Sequence, residues 1–206
     1  MMQNKPFFIG ITGGVGAGKT EVLDYIRTHY RCEIYLADEV AHEIQKPGTG
    51  CYEQLVSLLG PEVLMPDGRI NRSAMADRIF SDPKLLDAVN GLIHPAVKTY
   101  LLSRLEQAKR KGIVELFFVE AALLIEGGYK ELVDELWYIY ADEKVRADRL
   151  SSVRGYSSEK IRRIISHQLS EQSFRENCDF VINNSGDLAD TYKQIKDKLE
   201  AYTWQE

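Results

Sequence analysis

Near the start of the chain runs the sequence Gly13-Gly14-Val15-Gly16-Ala17-Gly18-Lys19-Thr20, which matches the pattern G-x-x-x-x-G-K-[ST] of phosphate-binding loops. The apolar run Phe7–Thr12 before it predicts a buried strand, and apolar residues after it recur at helical spacing. Loops of this kind join a strand to a helix, so the context fits the pattern. The glycines let consecutive backbone N–H groups turn inward around an anion. We therefore predict that these eight residues bind a nucleoside triphosphate.

The last two residues of this loop have roles that follow from their chemistry. Lys19 is expected to reach the β- and γ-phosphates, and the Thr20 hydroxyl is expected to help hold Mg²⁺. The N-terminal end of the following helix favours the same anion. ATP and Mg²⁺ are therefore the expected nucleotide and metal.

Composition narrows the classes of protein that remain. The chain has 206 residues, of which 44% are hydrophobic and 28% charged, the balance of an ordinary globular domain. Its formal charge of −5 argues against a nucleic-acid-binding surface, which usually needs a basic excess. The longest apolar runs are too short to span a bilayer, and we expect no secretory signal before the first strand. We therefore expect a cytoplasmic monomer without nucleic-acid or membrane partners.

The cysteines and histidines do not form a metal or disulfide pattern. Cys32, Cys51 and Cys178 are odd in number and widely separated, which fits neither a disulfide framework nor a zinc site. The four histidines form no pair at metal-ligand spacing. We expect free thiols.

Four further apolar runs predict strands. They are Glu33–Ala37, Val114–Val119, Leu136–Tyr140 and Phe180–Ile182. Near-continuous apolar strands that alternate with helices are typical of a parallel sheet covered on both faces. We predict an α/β fold of three layers around a five-stranded parallel sheet. The predicted nucleotide-binding core is 1–47, 112–141 and 176–206.

The segment 48–111 contains no convincing strand, and we predict a helical insertion that carries the second substrate. Asn71 and Asp82 have the positions of helix N-caps. At His94-Pro95 the helical pattern is interrupted, because proline disfavours helical geometry in the residue before it. One helix is expected to end near Ile93 and a second to begin at Pro95.

Asp38 follows the second predicted strand, at the edge of the sheet where ligands gather in α/β folds. A kinase needs a base or an anchor for the hydroxyl that attacks the γ-phosphate, and Asp38 is the candidate. The alternative is that Asp38 is only the N-cap of the next helix, which contains Val40. The two interpretations have equal weight on the sequence alone.

A polar helical segment, 142–175, is predicted to form a lid over the triphosphate. It contains Arg146, Arg149, Arg154, Arg162 and Arg163. A lid would lend one or two guanidinium groups to the migrating phosphoryl group. The alternative is a solvated helix face on which Asp142 and Arg146 form an i,i+4 pair.

These residues resemble the dephospho-coenzyme A kinase family nearly from end to end. The matching segments are Ile11–Thr20, Asp38 with Val40-Ala41, His94-Pro95, Leu123-Leu124-Ile125-Glu126, Gln168 and Val181–Gly186. The chain departs from the family pattern at five positions. Leu36 stands where an acidic residue is usual, His42 where a basic residue is usual, Lys98 where an arginine is usual, and Ala122 where a proline is usual. Arg154 lies about one residue later than the second arginine of the family's lid.

The resemblance implies phosphorylation of the ribose 3′-hydroxyl of dephospho-coenzyme A by MgATP, the last step of coenzyme A synthesis. It implies that Asp38 orients or deprotonates that hydroxyl, and that Lys19 and Arg149 are the other catalytic residues. The acceptor would contact Asp38, His94, Lys98 and Glu126. Asn184 and Gly186 would belong to a turn that contacts the adenine of ATP.

Two alternatives remain open on physical grounds alone. The first is a kinase for another small acceptor, such as a nucleoside or a nucleoside monophosphate. The second is a nucleotide-sensing protein that has lost phosphoryl transfer. A GTPase is disfavoured because no Asp in the chain has a Gly three residues later.

Overall fold

The computed structural model describes residues 5–202. Its strands are β1 (Phe7–Thr12), β2 (Cys32–Leu36), β3 (Leu116–Glu120), β4 (Glu135–Tyr140) and β5 (Phe180–Asn183). Its helices are α1 (Lys19–His29), α2 (Ala37–Glu43), α3 (Gly50–Leu59), α4 (Arg72–Phe80), α5 (Pro83–Lys111), α6 (Glu143–Arg154), α7 (Ser158–Ser166), α8 (Glu171–Asn177) and α9 (Leu188–Leu199), with a short 3-10 helix at Pro61–Val63. Within these residues no helix has both the length and the apolar character that crossing a membrane requires.

The five strands form one sheet in the order β2-β3-β1-β4-β5. β1 pairs in parallel with β3 and with β4, and β4 pairs in parallel with β5. Strands in the middle of such a sheet are covered on both faces, which explains their apolar sequences. Ile9, Phe118 and Trp137 are fully buried there. The predicted five-stranded α/β fold is confirmed, and β1 and its loop occupy the centre of the sheet.

The chain divides into two compact units. The first contains residues 5–34 and 107–202 of the described chain and carries most of the sheet. The second is Tyr35–Glu106 and is helical after the end of β2, apart from a single antiparallel bridge between Leu64 and Ile70. The division of the chain into a core, an insertion 48–111 and a lid 142–175 stays a prediction.

Two predicted helix starts in the second unit are confirmed. The Asn71 side chain accepts hydrogen bonds from the N–H groups of Ser73 and Ala74, at 3.1 and 3.2 Å, and so caps α4. The Asp82 side chain accepts one from Lys84 N–H at 2.9 Å, at the start of α5. These bonds satisfy N–H groups that would otherwise have no partner in the first turn.

The predicted break at His94-Pro95 is wrong, because α5 is one helix of 29 residues that contains Pro95 in its interior. Val89, Val97, Leu101 and Leu105 are buried along it, at spacings of four and eight residues. These residues form one apolar face that continues past the proline. Burial of this face outweighs the local preference of the residue before Pro95 and the loss of one backbone hydrogen bond.

Replacing Pro95 by alanine should therefore stabilise the protein. Alanine restores the N–H that can bond the Gly91 carbonyl four residues earlier, and Pro95 is exposed, so little packing is lost. We expect a gain of about 1–2 kcal/mol in the free energy of unfolding after the larger entropy of the unfolded chain is deducted. Denaturation in urea measures it. Pro83→Ala, at the first position of the same helix, is the matched control and should change little. An unchanged or lowered stability of Pro95→Ala would contradict this account.

Candidate active site

The loop that follows β1 is shaped by glycines. Gly13, Gly16 and Gly18 have φ angles of 150°, 84° and 88°, which side chains with a Cβ rarely adopt. A Cβ on Gly13 would lie 2.5 Å from the carbonyl oxygen of Ile139, and a Cβ on Gly18 would overlap the Asn184 amide. The loop can therefore keep this path only with glycine at these positions.

The backbone N–H groups of the loop are available to a ligand. Ala17 N–H donates to Gly14 O at 3.1 Å. Within residues 5–202, Val15, Gly16, Gly18 and Lys19 have no protein acceptor for their backbone N–H groups. Helix α1 begins at Lys19 without a side-chain cap, so its positive end faces the same place. A cradle of uncommitted donors at a helix N-terminus is an anion-binding arrangement.

Lys19 folds back across the loop. Its Nζ donates to Gly13 O at 2.9 Å and lies 3.5 Å from Oε1 of Glu120. Glu120 ends β3, the strand beside β1, and its register partner on β1 is Ile11. The sequence reasoning gave Glu120 no role. The signal in the sequence is that Glu120 directly follows a predicted strand, and a carboxylate at the carboxyl end of a strand is placed for chemistry. Only the topology shows that this strand lies next to β1.

Two arginines from α6 contact backbone carbonyl groups of the loop. Arg146 donates from Nε to Val15 O at 3.0 Å, and its Nη2 donates to the side-chain oxygen of Gln168. Burial lowers the pKa of Arg146 from its ordinary value, but an arginine stays charged in proteins. The suggested Arg146–Asp142 side-chain pair is wrong, because Asp142 instead accepts a hydrogen bond from the Tyr140 hydroxyl at 2.5 Å.

Arg149, the catalytic arginine that the family resemblance implies, also reaches the loop. Its Nη1 lies 3.3 Å from Ala17 O, and its Nη2 donates to Asn184 O at 2.9 Å. The other three arginines of the segment, Arg154, Arg162 and Arg163, are exposed. Arg149 thus lies at the loop, and its catalytic role stays a prediction. Arg146, which also contacts the loop, was not singled out from the sequence.

Asn184 is buried and holds the loop in place. Its Nδ2 donates to Ala17 O at 2.8 Å, and its Oδ1 accepts from the Thr191 hydroxyl at 3.0 Å. Its side chain is thus committed to the protein. The predicted adenine contact of Asn184 and Gly186, expected largely through the backbone, stays a prediction.

Asp38 is the second residue of α2, whose N-cap is Leu36. No side chain caps this helix, so the interpretation of Asp38 as an N-cap is wrong. Its carboxylate is exposed in the first turn, where it interacts favourably with the helix dipole. Asp38 is therefore free of the structural role that was the alternative to a chemical one.

The remaining acceptor candidates are divided between the two compact units. His94 and Lys98 lie one turn apart on α5, in the same unit as Asp38. Glu126 lies in the other unit, in a turn after β3 that is closed by a hydrogen bond of 2.8 Å from Gly127 N–H to Leu123 O. Glu126 is exposed. Their roles toward an acceptor stay predictions.

Two oxygen-bearing side chains at the loop could bind a magnesium ion that arrives with a nucleotide. Within residues 5–202 no group of three or more His, Cys, Asp or Glu side chains could hold a metal by itself. Mg²⁺ usually keeps several waters and binds through one or two carboxylates together with substrate phosphates. The Thr20 hydroxyl, at the start of α1, and the Glu120 carboxylate, beside Lys19, suit that mode.

Comparison with known proteins gives a consistent result. A family model described as dephospho-CoA kinase matches residues 7–190. The chain is 33% identical over 192 residues to the dephospho-CoA kinase of Streptococcus agalactiae serotype III, covering 93% of this chain and 97% of the relative.

Solved structures share the fold. A Thermus thermophilus protein superposes with a TM-score of 0.79 and 29% identity, covering 98% of this chain and all of its own. The dephospho-CoA kinase from Campylobacter jejuni superposes with a TM-score of 0.70 and 20% identity, covering 95% of this chain and 96% of its own.

Proposed function

Because the chain belongs to the dephospho-CoA kinase family, we propose that it transfers the γ-phosphoryl group of MgATP to the ribose 3′-hydroxyl of dephospho-coenzyme A. The product is coenzyme A, and the reaction is the final step of its synthesis. The observation that carries the proposal is the loop 13–20, with its uncommitted N–H groups and with Lys19 folded across it.

ATP is proposed to bind with its phosphates in the loop. The backbone N–H groups of the loop would surround the β-phosphate, and Lys19 would exchange Gly13 O and Glu120 for phosphate oxygens. The Thr20 hydroxyl and Glu120 would hold Mg²⁺, which supplies positive charge to the phosphate oxygens when it is bound. The turn at Asn184 and Gly186 would contact the adenine.

The acceptor hydroxyl is proposed to be held by Asp38. The ribose 3′-oxygen attacks the γ-phosphorus, its proton passes to the Asp38 carboxylate, and ADP leaves with the electron pair of the broken bond. Asp38 is exposed and caps no helix, so its carboxylate is available to a hydroxyl group. His94, Lys98 and Glu126 are proposed to contact the rest of the acceptor. Most of the catalysis would come from positioning and electrostatics, as in other phosphoryl transfers.

Arg149 is proposed to stabilise the charge that develops on the transferred group. It is already anchored to the loop through Ala17 O and to β5 through Asn184 O. A guanidinium group held in this way needs little reorganisation to meet a phosphate oxygen. Its hydrogen bonds also support the loop itself.

We expect Arg149→Met to lower kcat/KM for MgATP by roughly 10–100-fold, the range for loss of hydrogen bonds to a charged group. Steady-state kinetics with dephospho-coenzyme A as the acceptor measures the change. The matched control is Arg154→Met, at the exposed end of the same helix, which should leave kcat/KM unchanged. If Arg154→Met is the impaired variant and Arg149→Met is not, the assignment of the catalytic arginine is wrong.

We also propose that the enzyme works as a monomer in the cytoplasm, where its three cysteines stay free thiols. Cys32, Cys51 and Cys178 form no disulfide within the described residues, and disulfides are rare in the reducing cytosol. Sedimentation of the purified protein tests the monomer.

The assigned reaction is tested by an assay of ADP release with several acceptors. Dephospho-coenzyme A, adenosine and nucleoside monophosphates are offered separately and then in competition. We expect dephospho-coenzyme A to have by far the highest kcat/KM. Preference for a nucleoside monophosphate would indicate a different small-molecule kinase, and nucleotide binding without transfer to any acceptor would indicate a sensor.

A further inference from the structure

A cleft of about 440 Å³ lies entirely within the compact unit Tyr35–Glu106. Its lining includes the imidazole of His42 and three cationic side chains, those of Lys46, Arg69 and Arg72, and no carboxylate. The apolar side chains of Met65 and Ile70 also line it. We refer to it below as the basic cleft.

The charge of the basic cleft is unusual for this unit. Tyr35–Glu106 contains ten Asp and Glu residues against seven Lys and Arg residues, and three of those seven line the cleft. Lys46 is paired with Glu43, and Arg69 with Asp67, but both pairs are exposed. Exposed pairs are weak and are easily exchanged for a stronger anion. Within residues 5–202 the Arg72 guanidinium forms no ion pair or side-chain hydrogen bond.

The backbone around the basic cleft is well ordered by hydrogen bonds. The turn at 65–68 is closed by Gly68 N–H to Met65 O at 2.9 Å, and Met65 N–H donates to Arg69 O at 2.8 Å. The Tyr52 hydroxyl donates to Gly68 O at 2.5 Å. Arg72 is the first residue of α4, immediately after its cap Asn71. The two arginines thus project from fixed backbone positions, so that binding an anion requires ordering only of their side chains.

We infer that the basic cleft binds the 5′-diphosphate of dephospho-coenzyme A, an inference that rests on the proposed function. The diphosphate is the anionic group of this acceptor, and guanidinium groups bind phosphate oxygens in a two-pronged geometry. Asp38 and His42 are four residues apart on α2, so their Cβ atoms are about 5–6 Å apart on one face. The 3′-hydroxyl and the 5′-carbon that carries the diphosphate are attached to neighbouring carbons of one ribose ring, so the two groups are close together. One turn of α2 therefore carries both the carboxylate proposed to meet the hydroxyl and His42, which lines the basic cleft proposed to hold the diphosphate.

The decisive variant is Arg72→Gln. Arg72 is exposed and has no partner within the described residues, so its replacement should not disturb folding. We expect the KM for dephospho-coenzyme A to rise roughly 10–100-fold, the range for loss of a charge-assisted hydrogen bond, with the KM for MgATP unchanged. The matched control is Arg78→Gln, the same change on the same helix. Arg78 pairs with Glu62 and does not line the basic cleft, so this variant should behave as the unchanged protein.

Inorganic pyrophosphate provides an independent probe. At saturating MgATP it should inhibit the enzyme competitively against dephospho-coenzyme A, and about tenfold more weakly in Arg72→Gln. Equal KM values in Arg72→Gln and the unchanged protein, equal effects of Arg72→Gln and Arg78→Gln, or the absence of competition by pyrophosphate would overturn the inference while leaving the kinase activity in place. If the unchanged protein does not phosphorylate dephospho-coenzyme A at all, the proposed function itself fails and the inference fails with it.

Discussion

Replacing Lys19 by alanine is expected to cost about 3 kcal/mol of transition-state stabilisation, which lowers kcat/KM for MgATP roughly 150-fold. The Lys19 ammonium group lies between Gly13 O, at the start of the loop, and the Glu120 carboxylate at the end of β3. With ATP bound it would lie against the β- and γ-phosphates, where negative charge develops during transfer. Alanine is a good helix former, and Lys19 is the first residue of α1, so the fold should be preserved.

The control for Lys19 is Arg27→Ala, which removes a cation from the last turn of the same helix. Arg27 pairs with Asp24 on the surface, and such a pair contributes little. Steady-state kinetics gives kcat/KM for each variant, and thermal unfolding verifies that both are folded. A folded Lys19→Ala protein with an unchanged kcat/KM for MgATP would contradict the assignment of the loop.

Asp38→Asn is expected to reduce turnover by about a hundredfold or more while ATP still binds, the size of effect expected for loss of a general base. Asparagine keeps the shape of the side chain but cannot accept the proton of the ribose hydroxyl. Asp38 does not cap α2, so its replacement should have little effect on the helix. Stopped assays at saturating MgATP and dephospho-coenzyme A measure turnover, and calorimetry measures nucleotide binding.

Glu39→Gln is the matched control for Asp38. Glu39 is the adjacent carboxylate, also exposed in the first turn of α2, so the two variants remove the same charge from the same helix end. Glu39→Gln should leave turnover within about twofold. Near-normal turnover in Asp38→Asn, or an equal loss in both variants, would show that Asp38 is not the residue that receives the proton.

The sequence predicted the sheet well because its middle strands are buried on both faces. Such strands have near-continuous apolar sequences, as in Phe117-Phe118-Val119 and Trp137-Tyr138-Ile139, and this signal is local. The observed ends of the strands differ from the predicted ones by one or two residues; β3, for example, begins at Leu116 rather than at Val114. Pro95 misled the prediction because its local preference is visible in the sequence, whereas the buried face that overrides it is a property of the folded helix.

The candidate site was predictable only where its residues belong to a local pattern. Lys19 and Thr20 are fixed by their spacing from the glycines, but Arg146 contacts a carbonyl 131 positions earlier in the chain. No spacing rule contains such a contact, and an apparent i,i+4 partner, Asp142, suggested a surface role. Glu120 was missed for a similar reason, because the neighbour relation between β3 and β1 is set by the topology.

The bonds of Asn184 have a consequence for anyone who redesigns the chain. Ala17 in the loop is tied through Asn184 to Thr191 of α9, so α9 supports the loop that is proposed to bind the nucleotide. A shortened chain that ends before α9 would lack Thr191, and Asn184 would lose the hydrogen bond that helps it hold the loop.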